Sequence, residues 1–169
     1  MRYSSVFLLV VSLLAVPSLT SASEPLTPRP LDEVAADAFA QARAESSIVR
    51  QLVETLERSN VIVHIVSSQT MRPGLSGTTN FVASRGGYRY VRITLNVELR
   101  KSLRTSILAH ELQHACELAQ SNANDTDSVR RLFEQAGMRE GSTYETREAQ
   151  IVQRSVAREV RTATMAAVQ

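Results

Sequence analysis

Ile107-Leu108-Ala109-His110-Glu111-Leu112-Gln113-His114-Ala115-Cys116 contains the pattern H-E-x-x-H. Residues three and four apart share one face of a helix, so the spacing predicts His110 and His114 one turn apart and pointing the same way. Two imidazoles so placed can hold one metal ion from one side. Glu111, beside them, can reach a water bound to that metal, and this is the spacing of zinc hydrolases that use the Glu as general base. Leu108, Ala109, Leu112, Gln113, Ala115 and Cys116 carry no charge, as expected of a helix buried under a metal site. Cys116 reads as a small buried residue rather than a ligand, and as the lone cysteine it allows no internal disulfide.

A catalytic zinc usually has three protein ligands and an open position. A longer pattern with a third histidine is absent, because Glu117 and Gln120 stand at the places of its Gly and His. His64, far upstream, reads as a strand residue without a metal role. The third ligand is therefore expected to be a downstream carboxylate, Glu145 or Glu148. On a last helix running from Tyr144 to about Ala166, Glu145 falls near the middle of the apolar stripe Ala149, Val152, Val156, Val160 and Ala163, and Glu148 falls to one side. An acid on an inward stripe is costly unless paired, which favours Glu145 with Glu148 in reserve. Ser142-x-x-Glu145 also fits a capping box, in which the Glu only satisfies the helix start. Glu117 and Asp125 are candidates to support a ligating imidazole.

Outward from the motif, the pattern predicts a mixed α+β domain over residues 31–169. Leu31 to Ser59 reads as one long helix, with Asp32 as N-cap and an apolar stripe of Val34, Ala38, Ala42, Val49, Leu52, Val53 and Leu56. Val61 to Val66, Thr78 to Ser84 and Tyr88 to Asn96 read as a small twisted three-stranded sheet, with one edge exposed near the metal. Gln69 to Gly77 is a loop, and Arg85-Gly86-Gly87 is a hairpin turn. Asn96 is placed to cap the motif helix, Val97 to about Gln120. The loop Ser121 to Thr126 precedes a short helix, Asp127 to Met138, whose Val129, Leu132, Phe133 and Ala136 face inward and whose C-cap is Gly137.

The chain of 169 residues begins with a short basic start, an apolar run from Val6 to Val16, and small residues from Ser18 to Ser23. This reads as a signal peptide over residues 1–23, so the protein is expected to be secreted or periplasmic, with no stable membrane span after cleavage. Residues 24–30 (EPLTPRP) read as a Pro-rich linker. The net charge is +2, and the scattered arginines read as solvated helix faces, which argues against a nucleic-acid partner.

His110, Glu111, His114 and Glu145, in that order, resemble the gluzincins, and the succession of helix, small sheet, motif helix and glutamate helix resembles their compact minimal members. The resemblance implies zinc held by His110, His114 and Glu145, water activated by Glu111, and a peptide or protein substrate. Tyr144, next to Glu145, reads first as a packing residue at a helix start and second as a candidate donor to the oxyanion. Where many gluzincins have an acidic residue four places after the ligand Glu, this chain has Ala149. That departure, and the short chain, suit an alternative: a metal-binding or partner-binding module without turnover.

Overall fold

The computed structural model describes residues 28–140 and 143–166. The expected signal peptide, residues 1–23, and most of the expected linker lie outside the described residues. The fold is α+β, with helices layered on one face of a four-stranded mixed sheet, beside a small two-stranded sheet.

Pro30, expected in a linker, belongs instead to an edge strand, β1 (Arg29–Pro30), parallel to β2 (Val61–Ser68). Proline is tolerated there because an edge strand needs no donor on its outer side. The crossover to β2 is made by two helices, not one. α1 (Glu33–Glu45) and α2 (Ser47–Glu57) part at Ser46, whose backbone is extended. Its Oγ accepts from Val49 N–H at 3.1 Å and so caps α2, which interrupts the apolar period. A turn earlier the stripe is shifted: Ala35, Ala38, Phe39 and Ala42 are buried while Val34 is exposed.

Asp32 caps α1 as expected, accepting from Ala35 N–H at 2.9 Å, and it also accepts from both the backbone N–H and the hydroxyl of Ser67 at 2.7 Å. Burial opposes its ionised form, but these hydrogen bonds outweigh it and lower the pKa. Replacing Asp32 with Ala is expected to cost about 1–2 kcal/mol. Because the folded pKa lies below the unfolded one, the ionisation-linked part is full above about pH 4 and is lost as the pH falls through the lowered value. Urea unfolding of native and variant protein at neutral and acidic pH measures both.

β3 (Gly77–Arg85) and β4 (Tyr88–Asn96) form the expected hairpin, with Gly86 and Gly87 both at positive φ. β4 inserts between β2 and β3, leaving β3 outermost. Alternation along the paired strands sends Val61, Val63 and Ile65 of β2, and Val91, Ile93 and Leu95 of β4, into the helices. Gly77, Thr79 and Phe81 are their partners on β3, before a bulge shifts the register. Arg89 lies on this same inward register and is buried, unlike the solvated arginines expected.

α3 (Lys101–Ala119) carries the motif and starts later than expected. Asn96 accepts from Glu98 N–H at 2.9 Å and so shapes the preceding turn; it does not cap α3. α4 (Thr126–Ala136) is capped by Asp125 in a box with Ser128. Val129 and Leu132 pack against the core, whereas Ala136 is exposed. β5 (Gly137–Glu140) and β6 (Thr143–Thr146) then pair, with Gly137 in extended conformation. α5 (Arg147–Ala166) follows, packed along α3. Among the described residues no helix is long and apolar enough to cross a membrane.

Candidate metal centre

The helical spacing of α3 stacks His110 and His114 with ring centroids 4.8 Å apart, and both side chains are buried. His110 Nε2 lies 3.1 Å from His114 Nε2 and 3.1 Å from Glu145 Oε2. One donor atom from each of the three residues falls within 4.8 Å of the others. A tetrahedral ion with bonds of about 2.0–2.1 Å sets its donors about 3.3 Å apart, so two of the separations match. His110, His114 and Glu145 therefore form a group able to bind a metal ion.

Glu145 arrives from a different element than expected. It lies on β6, ahead of α5, not on the helix itself. The start of α5 is capped by Thr146, whose Oγ1 accepts from Ala149 N–H at 3.1 Å, so Glu145 is not held in a capping box. Glu148 is exposed in the first turn of α5 and is not in the group. His64 sits on β2 with its ring 6.4 Å from that of Tyr90.

His114 Nδ1 pairs with Glu117 Oε2 at 3.0 Å, and Glu117 Oε1 accepts from the Thr146 hydroxyl at 2.7 Å. Of the two residues expected to support an imidazole, Glu117 does so and Asp125 is occupied as a helix cap. The support comes from within α3, so the apolar Ala149 leaves His114 no poorer. Giving Nδ1–H to Glu117 leaves the Nε2 lone pair of a neutral His114 facing the group. Phe133 of α4 packs edge-on against the His114 ring at 5.5 Å.

The electrostatics of the trio are coupled. Burial acts to lower the His110 pKa, but the hydrogen bond to Glu145 and the negative charges of Glu111 and Glu145 raise it overall. The same hydrogen bond lowers the pKa of Glu145 against its partial burial. Glu111, 5% exposed, is raised by burial.

Two residues not singled out in the sequence fix Glu111. The Thr79 hydroxyl lies 2.7 Å from Glu111 Oε2 and 3.0 Å from its backbone oxygen. Gly77 lets β3 come close: a Cβ there would stand 2.8 Å from Glu111 Oε1 and 2.7 Å from Ile107 Cγ2. Neither had a local signal, since both depend on β3 lying across α3.

A cleft of about 310 Å³ opens beside Glu111, His114 and Glu145, walled by the β3 segment Gly77–Phe81 and by Phe133. Tyr144 lines it, with its hydroxyl donating to Glu134 Oε1 at 3.0 Å. A larger groove, about 710 Å³, lies between the start of α3 and the end of α5 and holds none of these groups. Cys116 is buried, and desolvation pushes its thiol up to about 12. The chain matches no family model, no curated protein and no solved structure.

Proposed function

We propose that the protein is an exported zinc-dependent peptidase of the compact gluzincin kind, with His110, His114 and Glu145 as ligands and Glu111 as general base. The observation that supports this most is the convergence of three buried or half-buried donor atoms next to a buried carboxyl at the mouth of a cleft. Two imidazoles, one carboxylate and an open side suit zinc. Zinc, when bound, would supply Lewis acidity, lowering the pKa of a water at the site and polarising a peptide carbonyl.

The chain's own groups then have separable tasks. Glu111, kept basic by desolvation and aimed by Thr79, takes the proton of the attacking water and delivers it to the leaving amine. Glu117 holds the His114 ring in one tautomer. Tyr144 is the donor on the cleft wall for a developing oxyanion, once its hydroxyl leaves Glu134. A peptide would lie extended along β3, the outermost strand, and pair as an added strand. Phe81, Leu118, Val129 and Phe133 in the cleft suit an apolar side chain next to the scissile bond.

Elemental analysis of the purified mature protein tests the metal site. The expected result is one zinc ion per chain, lost in Glu145→Ala and kept in Glu148→Ala. A native protein without stoichiometric metal rejects the reading. A protein that binds zinc yet cleaves nothing in a broad peptide library rejects the peptidase and leaves a binding module.

A further inference from the structure

A buried imidazole that ligates a metal through Nε2 needs its other nitrogen held. His114 has Glu117 for this purpose. His110 Nδ1 is buried and lacks an aligned hydrogen-bond partner. α5 packs along α3 and turns Ala149, Val156 and Val160 inward. Gln153 lies four residues after Ala149 and three before Val156, so it occupies the same face. It is the polar position within that apolar stripe, it is half-buried, and its amide approaches the His110 ring.

We infer that Gln153 is the positioning residue for His110, its amide oxygen accepting from Nδ1–H so that the Nε2 lone pair faces His114 and Glu145. The inference rests on the metal-site reading above. It explains how α5 can lack an acid at Ala149 and still orient a ligand: the support comes one turn later and is neutral. The two histidines are thereby unequal. His114 is backed by a charged acceptor and His110 by an uncharged one, which makes His110 the weaker donor and the one open to improvement.

Zinc affinity of the full mature chain, measured by competition with a chromophoric chelator, tests this. Gln153→Leu is expected to weaken zinc binding about 10–100-fold, whereas Gln153→Glu restores native affinity or exceeds it. Arg154→Ala, exposed on the same helix, is expected to change nothing. Nitrogen-15 NMR of the zinc-loaded native protein should show a slowly exchanging Nδ1–H on His110 that is lost in Gln153→Leu. A gain in Gln153→Glu cannot arise from misfolding, so the inference stays testable if the leucine variant fails to fold. Equal affinity in native and Gln153→Leu, with zinc lost in Glu145→Ala, overturns the role of Gln153 and leaves the metal site standing. Loss in Gln153→Glu as large as in Gln153→Leu also overturns it. No zinc bound by the native chain overturns both readings together.

Discussion

Glu111→Gln is expected to keep one zinc ion bound and to lower peptide hydrolysis by about 10²–10⁴-fold, the share usually supplied by general acid–base catalysis. The substitution is nearly isosteric, and an amide oxygen can still accept the Thr79 hydroxyl now 2.7 Å from Oε2. What disappears is the ability to take a proton. A carboxyl at 5% exposure is an expensive group to bury, and its raised pKa reflects that cost. The neutral variant should therefore unfold at the same temperature as the native protein or higher. Activity lost with zinc content and melting temperature preserved is the signature of a residue kept for chemistry at the expense of stability. Turnover at the native rate would remove Glu111 from its role while leaving the metal group untouched.

How far the site could be read in advance differs from residue to residue. His110, Glu111 and His114 were legible because their relation depends only on helical spacing, which α3 keeps. The hairpin was legible because Gly86-Gly87 supplies two positive φ angles without a Cβ penalty. The apolar period points to Glu145 through a place on a helix face, yet the residue lies on a strand. The residue comes to the site through another geometry: β6 delivers it immediately before Thr146, which both caps α5 and bonds Glu117. Thr143-Tyr144-Glu145-Thr146 did carry a strand signal in its Thr and Tyr content, and Thr146 a cap signal, but the apolar period that follows masked both. The break at Ser46 was hidden in the same way, by periodicity on either side of a capping serine. Thr79 and Gly77 are legible only once β3 lies across α3, and no local pattern reports that crossing.

Arg89 is the residue whose meaning changes most on folding, and its removal should have the largest effect on stability. It sits at 7% exposure on the inward register of β4, where apolar residues would be expected. Its guanidinium donates to the carbonyls of Leu118 at 2.6 Å, Ser121 at 2.8 Å, and Ala119 and Ala123 at 3.2 Å. It also donates twice to Asn60 Oδ1, at 2.6 and 3.1 Å. Two of these oxygens, on Leu118 and Ala119, belong to the last turn of α3, where the helix has no further N–H of its own to offer and its dipole also favours a cation. Arg89 thus satisfies the end of α3 and ties it to the loop before β2. Arg89→Met keeps the apolar stem but strands the carbonyls of Ala119, Ser121 and Ala123, at an expected cost of about 1–3 kcal/mol for each one left unsatisfied. Arg89→Lys should recover only part of this, because an ammonium cannot span the fork of acceptors. Urea unfolding of the three proteins gives the differences directly. The lesion should also reach the metal group, because the last turn of α3 contains Glu117, the partner of His114. In a variant that still folds, zinc affinity is expected to fall along with stability. A variant as stable as the native protein would mean that water satisfies the end of α3 as well as the guanidinium does.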